Sequence, residues 1–167
     1  DLATLQGKKY HGKRNHINSF SEQYAWSYET ITDGNTPDVL EMAQEWCRQK
    51  GNCKDKGLRT ENCAIREVLR HREALSVRGG LIRADGRVAA FTFGSPINDK
   101  VFDIQVEKAL PSFPGAYAVI NQAFASTLTA YPFLNRENDL DIEGLRKAKL
   151  SYHPAMVLEK YTCTQVR

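Results

Sequence analysis

Arg78-Gly-Gly-Leu-Ile-Arg-Ala-Asp-Gly-Arg-Val-Ala-Ala-Phe-Thr-Phe93 is the stretch that decides the fold. Two runs suited to a pleated sheet flank Asp85-Gly86, and both of those residues tolerate positive φ, so the segment predicts an antiparallel hairpin closed by a type I′ turn. Gly94-Ser-Pro-Ile-Asn-Asp99 forms the next, longer turn, and Val101 to Glu107 extends the hairpin into a three-strand meander.

On the N-terminal side of the meander, Tyr24 to Ile31 reads as a first strand ended by Asp33-Gly34-Asn35. Two helices stand between that strand and the meander. The first starts at Thr36-Pro37, an N-cap followed by proline where its missing N–H costs nothing. It carries Val39, Met42, Ala43, Trp46 and Cys47 on one stripe and stops at Gly51. The polar, basic run from Gly51 to Arg59 reads as a surface loop, and Thr60 caps a second helix bearing Ala64, Ile65, Val68 and Leu69. Ahead of everything, Leu5 to Ser21 places Tyr10, Ile17 and Phe20 at helical spacing. Residues 1–22 are therefore assigned to an amphipathic lead-in helix and 23–167 to the domain proper.

On the C-terminal side, Pro111-Ser-Phe-Pro-Gly115 precedes a helix with a wide apolar stripe, Ala116, Val119, Ile120, Ala123, Phe124 and Leu128. A short strand, Tyr131 to Leu134, follows. A short helix, Ile142 to Leu150, capped by Asp139 or Asp141, leads through Pro154 to a final strand, Ala155 to Thr164. The intervening Asn135 to Pro154 concentrates charged, amide and phenolic groups beyond what a connector needs.

At 167 residues and 18.9 kDa the chain has the size of one ordinary domain. Its 41% apolar and 26% charged content is that of a globular protein, and no run approaches the ~20 apolar residues that cross a bilayer. A net charge of +3 is too small to imply nucleic-acid binding by itself. The cysteines, Cys47, Cys53, Cys63 and Cys163, form no CxxC pair and lack zinc spacing, so they read as reduced structural thiols of a cytoplasmic protein with no metal site. The chain starts at Asp1 without methionine, which suggests a fragment or a processed product.

The order β–α–α–β–β–β–α–β–α–β resembles that of the general control N-acetyltransferase (GNAT) superfamily of acyl-CoA N-acyltransferases. The resemblance implies an α/β (α+β) fold, a curved, mixed but mostly antiparallel sheet flanked by helices, in which the fourth and fifth strands splay apart. The helix between those strands would turn its N-terminus toward the donor's phosphates, where unpaired N–H groups and the helix dipole favour an anion. The usual donor loop, Gln/Arg-x-x-Gly-x-Gly/Ala, is replaced here by Gly115-Ala116 after two prolines.

Lys8 to Phe20, Asp103 to Ala109, Gly115 to Gln122, Leu134 to Asp139 and Gly144 to Pro154 resemble a narrower group, bacterial proteins related to the C-terminal domain of phosphatidylglycerol lysyltransferase. That resemblance covers nearly the whole chain. It implies the second of two tandem acetyltransferase-like modules, with a missing N-terminal module as partner, and either acyl-CoA or aminoacyl-tRNA as donor. The activity it implies is acyl or aminoacyl transfer, the alternative being a noncatalytic ligand-binding or structural module.

Within that frame Glu107, at the end of the third meander strand, is placed to take a proton from an attacking amine or hydroxyl, against the alternative of a strand-end salt bridge with Lys108. Gly115, Ala116, Tyr117 and Asn121 would meet the donor, with packing as the alternative for Tyr117. By the same resemblance Tyr152 is the acid for the leaving group, against a local hydrogen bond before His153-Pro154. Arg136, Arg146 and Lys149 would bind an anionic partner. Lys13 and Arg14, within a basic N-terminal cluster, suit tRNA phosphates or an anionic lipid surface, or else form a solvated helix face.

Overall fold

The turn at Asp85-Gly86 forms as its sequence demands: both residues have positive φ, 49° and 80°. Around it the computed structural model, which describes residues 1–51 and 56–165, builds β2 (Arg78–Ala84) against β3 (Arg87–Pro96), and β3 against β4 (Val101–Ala109), all antiparallel. β1 (Trp26–Thr30) joins the free side of β2, and β5 (Phe133–Asn135) lies parallel to β4 at the other edge. The sheet order is β1-β2-β3-β4-β5. The helices are α1 (His11–Gln23), after a 3-10 turn at Lys8–Tyr10, α2 (Thr36–Gly51), α3 (Lys56–Arg70), α4 (Ala116–Ser126) and α5 (Glu143–Leu150).

The two faces of the sheet are identified by neighbouring residues of β4. Lys108 reaches Glu61 of α3 and lies over the Trp46 ring of α2, whereas Glu107 accepts a hydrogen bond from Asn121 of α4. Helices therefore cover both faces. Leu81, Phe91 and Phe93 of the sheet, with Val39, Ile65, Leu69, Val119 and Ile120 from the helices, belong to the main core. Phe102, Ile104, Phe124 and Leu128 form a smaller cluster. Each such side chain stabilises the fold by about 1.5–3 kcal/mol relative to exposure.

Side chains on β4 do not alternate regularly. Phe93 pairs with Val106 and Gly94 with Ile104, so Gln105 is an extra residue, a β-bulge. Without it Glu107 would share a face with Asp103. With it, Glu107 stands opposite Thr92, and Ile104 opposite Gly94, on the face that α4 covers. Gly94 permits this: a Cβ there would sit 1.8 Å from the Asp103 carbonyl oxygen.

Several sequence expectations are corrected. Thr36 is the first residue of α2 rather than its cap, and its hydroxyl donates to the Thr32 carbonyl. Thr60 lies inside α3, donating to the Lys56 carbonyl, because that helix begins at Lys56. The expected loop between these helices falls partly on residues 52–55, outside the described residues. α5 has Ile142 at its N-cap with no side-chain cap, since Asp139 and Asp141 bind Arg146 instead. Ala155 to Thr164 forms no strand; 155–165 is irregular and exposed. Cys47 is disulfide-bonded rather than reduced, Cys63 and Cys163 are free and exposed, and Cys53 lies outside the described residues. The reduced-thiol argument for a cytoplasmic location thereby loses its support at Cys47. Among the described residues no helix is long and apolar enough to cross a membrane.

The chain forms two compact units, Asp1–Glu137 and Asn138–Arg167. The whole sheet and α1 to α4 belong to the first. The second holds α5 and the irregular C-terminal segment.

Candidate functional site

β4 and β5 pair over only three positions, Val101↔Phe133, Phe102↔Leu134 and Asp103↔Asn135. β4 then runs on to Ala109 while β5 stops, so the two segments diverge within the first unit. At the fork the Asn135 amide donates to Asp103 Oδ1 at 2.7 Å. Four residues further along β4, Arg136 donates to Glu107 Oε1 at 2.9 Å and Asn121 Nδ2 donates to Glu107 Oε2 at 2.9 Å. The divergence is thus spanned by side chains rather than by a backbone ladder.

Glu107 and Arg136 retain only 13% and 19% of their side-chain exposure, so solvent screens this pair less than an ordinary surface salt bridge. Asn121 is 1% exposed, and among the described residues no hydrogen-bond partner reaches its buried Oδ1. Lys13 of α1 lies in the same electrostatic environment. Burial and, next, repulsion from Arg136 push its ammonium below the ordinary lysine range, with Glu107 opposing them. A carboxylate held by two donors, beside an acceptor oxygen that lacks one, can receive an N–H or O–H group.

The N-terminus of α4 is arranged differently from a phosphate cradle. Gly115 caps it in the left-handed region at φ 91°, and a Cβ there would come within 2.7 Å of the His16 carbonyl oxygen on α1. Phe20, Tyr24 and Phe113 interlock beside it, with ring centroids 4.8 and 5.2 Å apart. The amides of Ala116, Ala118 and Val119 donate to the carbonyls of Phe113, Gly115 and Gly115 respectively, and Pro114 has no N–H to offer. Ala116 is fully buried. The expected donor position is therefore covered by the lead-in helix, which packs antiparallel to α4, with Ser126 Oγ donating to the Ala3 carbonyl at the far end.

Tyr117 lies 44% exposed at the start of α4, and loss of water around its hydroxyl, near the Ala109 backbone and Trp46, raises its pKa. Lys108, the partner considered for Glu107, instead donates to Glu61 at 2.9 Å, with its ammonium 3.6 Å from the Trp46 ring centroid. Burial depresses its pKa despite Glu61. Arg14 donates to the carbonyls of Leu5 and Gly7, tying down the N-terminal segment.

In the second unit Arg146 is held by Asp139 and Asp141, which raise its pKa, and the Arg146 guanidinium in turn depresses that of Asp139. Lys149 is half-buried on α5. Tyr152 is buried and its amide donates to the Lys149 carbonyl, while His153 takes a positive φ of 50° ahead of Pro154. Among the described residues no three His, Cys, Asp or Glu side chains gather as metal ligands. Sequence reasoning found Glu107, Asn121 and Arg136 but missed their mutual contacts, the Asp103–Asn135 bond and the Lys108–Glu61–Trp46 cluster. Gly94 was the available signal for the bulge.

The chain is 46% identical to a conserved protein of unknown function from Bacteroides thetaiotaomicron VPI-5482, with TM-score 0.90 over 94% of this chain and 54% of that one. It thus spans about half the length of that relative. A C-terminal domain of a putative lysylphosphatidylglycerol synthetase from Agrobacterium fabrum has 16% identity and TM-score 0.62, over 92% of this chain and 55% of the other. A ribosomal-protein-alanine N-acetyltransferase from Brucella melitensis biovar Abortus 2308 shares the fold at TM-score 0.60 and 11% identity, over 84% of this chain and all of that one. No curated protein matches. The family model described as phosphatidylglycerol lysyltransferase, C-terminal, matches residues 1–164, and the chain belongs to that family.

Proposed function

We propose that this chain is the acyl-group-handling module of a two-module aminoacyltransferase, and that its reaction takes place where β4 and β5 diverge. The observation that carries this reading is the placement of Glu107 beyond the last β4–β5 pair, with one carboxylate oxygen bonded to Asn121 and the other to Arg136. An acceptor amine or hydroxyl attacks the carbonyl carbon of the donor ester. Glu107 takes the acceptor's proton, the new acyl bond forms, and the ester C–O bond breaks to release the donor's hydroxyl, which regains a proton. Arg136 faces the carboxylate and anionic groups of the donor.

The covered α4 N-terminus favours an aminoacyl-tRNA ester over acyl-CoA. A pyrophosphate seated there would meet the His16 carbonyl oxygen, and the Ala116, Ala118 and Val119 amides already have acceptors. The family's name, phosphatidylglycerol lysyltransferase, agrees with an aminoacyl donor and with an anionic lipid acceptor. The second reading is a noncatalytic supporting module. It is favoured by the Glu107–Arg136 ion pair, which engages the carboxylate that would act as base.

Incubation of the purified protein with radiolabelled aminoacyl-tRNA and, separately, radiolabelled acetyl-CoA, in the presence of phosphatidylglycerol vesicles, tests the proposal. Label transfer from aminoacyl-tRNA that falls at least ~100-fold in Glu107→Gln is the expected result. Undiminished transfer in Glu107→Gln removes the proton role, tight acetyl-CoA binding removes the donor assignment, and absence of turnover with both donors selects the noncatalytic reading.

A further inference from the structure

The second unit has little core of its own. Among the described residues Tyr152 is its one buried apolar side chain, and α5 buries none. Seven of the twelve exposed large apolar side chains of the described chain fall in this short unit, Met156, Val157, Leu158 and Tyr161 among them at 58–79% exposure. Isolated exposed apolar residues are normal, but consecutive ones mark a surface that meets something.

The segment also reads as a strand that has not formed. Ala155-Met-Val-Leu-Glu-Lys-Tyr-Thr-Cys-Thr164 is rich in residues that favour a pleated sheet, yet it is irregular. In extended form Met156, Leu158 and Lys160 would face one way and Val157, Glu159 and Tyr161 the other. The family match runs to residue 164, so this segment belongs to the family's domain rather than to an unrelated tail. The Bacteroides relative, with 94% of this chain aligned, carries nearly as much chain again outside the match, since only 54% of it is covered.

We infer that Ala155–Thr164 is a docking strand for the N-terminal acetyltransferase-like module of the same polypeptide, adding to an open edge of that module's sheet. Main-chain hydrogen bonds would supply the attachment, and the pockets that receive Met156, Val157, Leu158 and Tyr161 would supply the specificity. The inference rests on the two-module reading given under Proposed function. A second copy of this chain is the competing occupant.

Intact mass and hydrogen exchange of the natural polypeptide test it together. The expected result is a mass well above 18.9 kDa and, over 156–164, amide exchange at least ~100-fold slower than for unstructured chain, independent of protein concentration. In that polypeptide Leu158→Asp should abolish the slowing over 156–164 while β2 to β4 stay protected. Exchange at unstructured rates in a protein shown by mass to hold both modules overturns the docking strand and leaves the two-module reading intact. Protection that appears only at high concentration assigns the segment to a second copy and overturns it as well. A natural mass of 18.9 kDa overturns the two-module reading and this inference with it.

Discussion

Gly94→Ala tests whether the bulge in β4 holds Glu107 in place. An alanine Cβ would sit 1.8 Å from the Asp103 carbonyl oxygen, 2.8 Å from its carbon and 2.9 Å from Phe102 Cε1. A non-bonded carbon and oxygen rest about 3.3 Å apart, so β3 and β4 must separate by roughly 1.5 Å at this point. The obstacle is backbone, which cannot rotate away. Such a shift disrupts the ladder on both sides of the bulge, about two hydrogen bonds at ~1 kcal/mol each, and loosens Phe102, which is fully buried. The sum is a loss of about 3 kcal/mol, or a fall in Tm of roughly 6–12 °C for a chain of this size. Thermal and urea unfolding followed by circular dichroism give the measurement. Gly12→Ala is the control: it lies in α1 with nothing within 4 Å of the added Cβ and should stabilise by ~0.5–1 kcal/mol. In Gly94→Ala the Asn121 side-chain amide resonance should also move, because Glu107 is displaced. A Gly94→Ala protein within about 0.5 kcal/mol of the parent would refute the argument.

Two further predictions concern other parts of the first unit. Gly115→Ala combines a positive φ with a Cβ 2.7 Å from the His16 carbonyl, so it should cost about 2–3 kcal/mol in urea unfolding and raise exchange in α1 ahead of the sheet; unchanged exchange in α1 would mean that the helix does not depend on this contact. Burial lowers the pKa of Lys108 below its unfolded value of 10.5, so the unfolded state binds more protons between the folded pKa and 10.5, and stability rises with pH through that window. Lys108→Met should abolish this rise while Tyr28 and Tyr117, whose raised pKa values act in the opposite sense, titrate as before. Identical pH dependence in parent and variant, read from unfolding at pH 7 and pH 10.5, would contradict it.

The sequence alone determined the elements whose signals are local: the Asp85-Gly86 hairpin, the three-strand meander, the apolar stripes of α2, α3 and α4, and the family through its runs of residues. It also picked out Glu107 at the end of a strand, Arg136 just after one, and Asn121 within the third helix of the domain. Tertiary structure decided what those groups do. Gln105 inserts one residue into β4 and turns Glu107 onto the face covered by α4; Arg136 then meets Glu107 across the fork, and Lys108 on the opposite face takes Glu61. It also laid α1 over Gly115, where sequence reasoning had expected phosphate, and left Ala155–Thr164 irregular despite a strand-like composition. The division has a physical cause. Turn chemistry and periodicity act over a few residues, whereas register, the face a strand residue points to and the partner of a charge are fixed by contacts between residues far apart in the chain, and a single inserted residue reverses them.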